Sequence, residues 1–261
     1  MNTNDRRILA AALGLSLVLL VLFASAAIRL GAEAFEARTL FALRAGHRVS
    51  ASLEVLAMLA LGWIAWRSRA RDRALAVGAG IAAALTVFLS VLGILAGKNP
   101  APAAALGNLL GGLALAAAFA WIAGRSRGQG STVRKALPAT AAVLVAVQCV
   151  LGAWIAIFAE ELWTAPLFFH ALLGLAIAGV AAWLALRRDR AASRFALLGL
   201  ALATPAAGFV SALFGQPLAA QLAHAVAAAL VVAAGAYACG RALPLRGNEQ
   251  TPQSARRDPE G

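Results

Sequence analysis

Three histidines, His47, His170 and His224, stand in or at the mouth of long apolar runs. An imidazole in such a run needs a partner, so it is read first as functional and second as a structural hydrogen bond to a neighbouring helix. His170 and His224 each fall about six residues into their runs, roughly 9 Å at the α-helical rise. That spacing puts two rings at similar depth. Two imidazoles from facing helices can clasp haem iron axially. Leu173, Gly174 and Ile177 share the face of His170, and Ala227, Ala228 and Val231 share that of His224. These small or modest side chains would admit a flat macrocycle. Zinc would need further ligands, and the second half of the chain supplies none at the usual spacing.

Other polar residues point the same way with plainer alternatives beside them. Glu54 follows His47 by seven residues, on nearly the same helical face and about 10 Å deeper. A carboxylate there is costly, and it serves either to deliver a proton to the His47 site or to bond a neighbouring helix as a neutral acid. Arg29 and Arg48 lie at the outer edge, where a guanidinium can pair with haem propionates or snorkel to lipid headgroups. Gln148 reads as an interhelical hydrogen-bonding residue.

The elements that must position these groups are membrane helices. With 62% hydrophobic residues, 13% charged residues and a mean hydropathy of +0.80, the chain has more apolar surface than a soluble domain can bury. The expected fold is all-α, with eight transmembrane helices near 8–30, 47–66, 74–96, 103–124, 136–158, 165–186, 195–214 and 218–240. All three histidines then open even-numbered helices. The net charge of +12 does not imply nucleic acid, because the basic residues lie in short loops between apolar runs. Eighteen Lys and Arg residues fall on the side of both termini, among them Arg6, Arg7, Arg67, Arg69, Arg71, Arg73, Arg125, Arg127, Arg134, Lys135, Arg187, Arg188, Arg190 and Arg194. Five fall on the other, Arg29, Arg38, Arg44, Arg48 and Lys98, with Glu33, Glu36, Glu160 and Glu161. The positive-inside rule therefore sets both termini in the cytoplasm. Ala24-Ser25-Ala26 would suit signal cleavage, but the run is too long for a signal peptide, and the orientation needs it retained. Cys149 and Cys239 fall inside spans, so no disulfide framework is expected. Trp63, Trp66, Trp121, Trp154, Trp163 and Trp183 mostly stand near span ends, as interfacial anchors do.

The chain also repeats. His47 and His170 are 123 residues apart, and Asn108 and His224, in matching Ala-Leu-Gly-Asn and Gln-Leu-Ala-His contexts, are 116 apart. The expected layout is two pseudo-symmetric four-helix bundles, 1–124 and 125–246, related by an axis along the membrane normal, with a disordered cytoplasmic tail at 247–261.

Taken together, the chain over about 8–240 resembles heme A synthases, a family of eight-span proteins built from two four-helix bundles. The resemblance rests on Ile28-Arg29-Leu30, on His47-Arg48, on Gln148 through Trp154, on His170 through Gly174, and on Pro217 with His224. It implies an integral protein of a bacterial plasma membrane holding haem b between His170 and His224. It implies that the first half binds haem O as substrate, with His47 as a ligand, and oxidises its C8 methyl to the formyl of haem A. Its implied partners are haem O synthase, an electron donor and cytochrome oxidase assembly factors. Three features depart from the family pattern. Asn108 replaces the second substrate-side histidine, Arg44 stands where a glutamate precedes the His-Arg pair, and the paired outer-loop cysteines are missing. An amide oxygen is a poor iron ligand, so Asn108 favours the alternative of a non-catalytic haem b carrier or assembly factor. A transporter, which can share parallel repeats, is a third reading. It has few polar residues in the spans and one internal proline, Pro205, to draw on.

Overall fold

A backbone crossing lipid must satisfy its hydrogen bonds internally, and a run of Ala, Leu and Val does so as an α-helix. The computed structural model describes residues 3–69, 72–96, 101–127, 136–158, 165–186 and 191–242. Among these the regular elements are eight α-helices: α1 (Thr3–Leu30), α2 (Ala37–Ser68), α3 (Arg73–Ala96), α4 (Pro102–Ser126), α5 (Ala136–Phe158), α6 (Ala165–Leu186), α7 (Ala191–Leu213) and α8 (Leu218–Ala242). Among the described residues, α1 to α4, α6 and α8 are long and apolar enough to cross a membrane. The apolar stretches Val143–Phe158 in α5 and Leu198–Leu213 in α7 are shorter. Arg71, Lys98, Asn99, Pro100, Arg134, Lys135, Glu160, Glu161, Trp163, Arg187, Arg188, Arg190 and the tail 247–261 lie outside the described residues.

One boundary corrects the sequence reading. The second span was expected to open at His47, but α2 begins at Ala37, ten residues earlier. Hydropathy marks where a helix stops being apolar, which is not where it must stop being a helix. The segment ARTLFALRAG is made mostly of residues that tolerate or favour the helix, so the backbone runs on. Arg38, Arg44 and Phe41 are exposed along it. His47 is therefore well inside its helix, whereas His170 and His224 do lie near the start of theirs.

Small residues let these helices approach closely. α1 packs on α2 and α4, and α3 packs on the same two; α5 packs on α6 and α8, and α7 on the same two. Between these sets, α4 packs on α8, α1 on α8 and α4 on α5. Adding four to every helix number returns the same set of neighbours. Consecutive helices that pack side by side across short connections run antiparallel, so α4 and α8 run the same way. Their crossing is reciprocal. A Cβ at Gly124 would strike the Tyr237 carbonyl, and one at Gly240 would strike the Trp121 carbonyl. Trp121 and Tyr237, like Gly124 and Gly240, are 116 residues apart, the offset of Asn108 and His224. Because the obstacle is backbone, Gly124→Ala and Gly240→Ala should each destabilise the detergent-solubilised protein by about 1–3 kcal/mol, read as a lowered thermal midpoint.

The tightest core is in α1 to α4, where Leu61, Leu75, Phe119 and Ile122 are fully buried. Large apolar side chains such as Leu56, Leu59, Val87 and Phe169 face outward, a distribution suited to lipid. Trp63 and Trp66 are exposed near the end of α2, with the guanidinium groups of Arg67 and Arg69 over their rings at 4.6 and 3.8 Å. That is how interfacial anchors sit. Trp121, expected to act likewise, is half-buried with its ring against Gly78 of α3, its carbonyl alone lying at the α4–α8 crossing.

Candidate functional site

His170 and His224 come together. Their ring centroids are 6.1 Å apart and their planes cross at 72°. With a metal–nitrogen distance of about 2 Å, two imidazoles on opposite sides of one metal place their centroids about 6 Å apart. Each ring is positioned by a helix that lies beside its own.

His224 Nδ1 is 2.9 Å from the carbonyl oxygen of Thr204 on α7. A carbonyl only accepts, so Nδ1 carries the proton and Nε2 of the neutral ring holds a lone pair. The carbonyl can be reached because the residue four positions on is Gly208. A Cβ there would sit 3.1 Å from His224 Nδ1.

His170 is held by Gln148 of α5. The Gln148 amide nitrogen donates to the His170 carbonyl oxygen at 2.9 Å, which fixes the orientation of the carboxamide. The same nitrogen lies 3.4 Å from His170 Nε2. A second amide hydrogen directed there meets a lone pair, so this ring too carries its proton on Nδ1. His170 Nδ1 and Gln148 Oε1 are buried without a hydrogen-bond partner. Again glycines make the room. A Cβ at Gly174, four residues after His170, would be 2.8 Å from Gln148 Nε2, and one at Gly152, four after Gln148, would be 2.6 Å from His170 Cε1.

The fit to a haem iron is therefore specific in part. The ring spacing suits axial ligation, both Nε2 atoms hold lone pairs, and His224 has its Nδ1 proton engaged, as ligating histidines usually do. The one obstruction is Gln148, whose amide faces the His170 lone pair. Among the described residues no three His, Cys, Asp or Glu side chains cluster, so the two imidazoles make up the donor set.

The first half is built differently. His47 Nδ1 is 3.2 Å from Ser25 Oγ on α1, on an exposed flank. Glu54 is 5% exposed and points to α3, where Thr86 Oγ1 is 3.0 Å from Glu54 Oε1 and 3.0 Å from the Ala82 carbonyl. One hydroxyl proton serves one acceptor at a time. If it goes to Ala82, as it does for many helical threonines, Glu54 must donate and so be the acid form. His47 and Glu54 are thus tied to different helices. Asn108 is half-buried on α4, flanked by Gly107 and Gly111, against which Leu92 and Leu89 of α3 pack. Arg29 and Arg48 are exposed. Cys149 and Cys239 form no disulfide among the described residues.

Sequence reasoning missed Thr86, Thr204 and Gly208, read Ser25 only as part of a cleavage-like triplet, and named Gly174 without its role of admitting Gln148. One signal was present: Ser25 precedes His47 by 22 residues, as Gln148 precedes His170. The repeat offset of 123 applied to Gln148 leads to Ser25. No protein-family model matches the chain, and no curated protein matches it either.

Proposed function

We propose that this chain is a membrane haem protein of the heme A synthase kind, with its eight helices arranged as two pseudo-symmetric four-helix bundles. In this reading α5 to α8 would hold a haem b between His170 and His224, and α1 to α4 would receive haem O beside His47, where its C8 methyl would be oxidised to the formyl of haem A, a four-electron step whose oxygen atom comes from water or dioxygen and whose electrons pass to an oxidant outside the chain. The observation that carries the reading is the pair of imidazole rings with centroids 6.1 Å apart.

Bound haem supplies a one-electron redox centre. The chain's own residues supply the rest. Thr204 orients His224, Gln148 orients His170, and the apolar helix faces around them exclude water. Arg29 and Arg48, exposed at the outer edge, are placed to meet propionates or headgroups. The basic residues at the ends of α2 and α4 support cytoplasmic termini, and the resemblance implies a bacterial plasma membrane. Partners in this role are a haem O donor, a reductant and the recipient oxidase's assembly machinery.

The test is a pyridine haemochrome spectrum of the purified protein, which separates haems A, B and O and counts them. Haem B with some O or A is the expected result. A colourless, folded protein from haem-replete cells would refute the reading.

A second reading, a haem b carrier or assembly factor without catalysis, is favoured by Asn108 and by the bonding of His47 to Ser25. It expects one haem B per chain and unchanged cellular haem A on gene deletion. Glu54→Gln separates the roles of that residue. Glutamine can donate to and accept from Thr86, so stability should stay within about 0.5 kcal/mol. Turnover of haem O should fall at least tenfold if Glu54 delivers protons, and should stay unchanged if it only joins α2 to α3.

A further inference from the structure

We propose that Gln148 is a positioning residue: its carboxamide holds the His170 ring in the ligand tautomer and caps the Nε2 lone pair until iron takes it, and Gly174 is the residue that admits it. This rests on the haem reading above. Gln148 Nε2 bonds the His170 backbone at 2.9 Å and faces its ring nitrogen at 3.4 Å, so one amide group reads both ends of one residue. A residue that merely joined two helices would need only the first of these. The His170 carbonyl already accepts the helical bond from position 174. Its second lone pair is open to α5 because Gly174 has no Cβ to screen it, and a Cβ there would stand 2.8 Å from the Gln148 amide nitrogen. On α5 the relation is mirrored, with Gly152 leaving room for the ring of His170. Gln148 with Gly152 and His170 with Gly174 form a reciprocal pair, each polar residue lying over the other helix's glycine.

The repeat gives independent support. The position 22 residues before the histidine supplies the polar partner in both halves, a hydroxyl at Ser25 and an amide at Gln148. The short serine reaches one ring nitrogen of His47 on an exposed flank. The longer glutamine bonds the backbone of half-buried His170 and faces one nitrogen of its ring. Position 148 is thereby the one that distinguishes a held imidazole from a loosely tethered one.

The test is a double-mutant cycle on the full-length, haem-loaded protein with Gln148→Leu and Gly174→Ala. Gly174→Ala leaves the glutamine in place and adds one methyl that its amide must avoid, a shift the flexible end of a side chain makes cheaply. Two readouts are followed: the rate of haem transfer to excess apomyoglobin, and the g values of the low-spin electron paramagnetic resonance signal. Each single variant should lose haem about tenfold faster, because once iron has displaced the amide from Nε2 the bond from Gln148 to the His170 carbonyl is what still fixes that residue, and loss of groups that orient metal-ligating histidines costs tenfold or more. Both should show the same shift in g values, and the double variant should be no worse than either single. Unchanged g values in Gln148→Leu, or losses that multiply in the double variant, would overturn the proposal while leaving the haem reading intact. A haem-free wild-type protein would overturn both.

Discussion

Replacing His224 with alanine is expected to remove the low-spin haem signal from the purified protein, and His170→Ala is expected to do the same. α6 carries no other His, Cys or Met, and Cys239 of α8 stands fifteen residues from His224, about 22 Å along the helix. The two variants differ in what remains. With His170 gone, His224 still donates its Nδ1 proton to the Thr204 carbonyl and keeps its Nε2 free, so residual haem should be high-spin and five-coordinate. With His224 gone, the Gln148 amide faces the remaining ring, and haem should be lost more completely. His47→Ala should leave the signal unchanged, since its partner is Ser25 on α1. Optical spectra of the reduced protein decide the matter, and retention of the low-spin bands by both variants would refute the assignment.

The second large effect lies far from the histidines. Asp72 precedes α3 and accepts from the Leu75 backbone N–H at 3.1 Å, capping the helix, while the Arg125 guanidinium donates to it through Nη2 at 2.9 Å and Nε at 3.1 Å. The side chains are 10% and 6% exposed. Breaking a buried pair by removing one member leaves the other charge stranded, at a cost of about 3–5 kcal/mol. Arg125→Ala should therefore lower the thermal midpoint in detergent more than the glycine substitutions at the α4–α8 crossing do. The combination of Asp72→Ser with Arg125→Met should recover most of the loss, since serine keeps the cap and methionine fills the space. If the double variant is as unstable as Arg125→Ala, the pair is more than a local lock.

How much of this was legible in the sequence follows from which forces write themselves into residue types. Hydropathy gave the helices, since lipid demands apolar runs, and the histidine and asparagine offsets gave the repeat. The start of α2 was misread because charge ends an apolar run without ending a helix. The meeting of His170 with His224 could be anticipated from equal depth, since depth is read from counting along a helix. Their partners could not. Thr204 contributes a backbone carbonyl, which any residue carries, and what exposes it is the absence of a side chain at Gly208. A glycine in a chain with 24 of them announces nothing by itself. Likewise Arg125 reads as a loop charge, and nothing along the sequence marks Asp72 as its partner. Their pairing depends on how the ends of α3 and α4 meet, which no spacing along one helix encodes.

The crossing of α4 and α8 has a bearing on how the halves came to differ. There the main chains touch with hydrogen atoms of glycine between them, so the joint owes little to the identity of any side chain. One half carries Asn108 where the other carries His224, and Ser25 where the other carries Gln148, while the contact at Gly124 and Gly240 is the same from both sides. A duplicated unit fastened in this way can let its copies drift into separate trades while the seam keeps its shape.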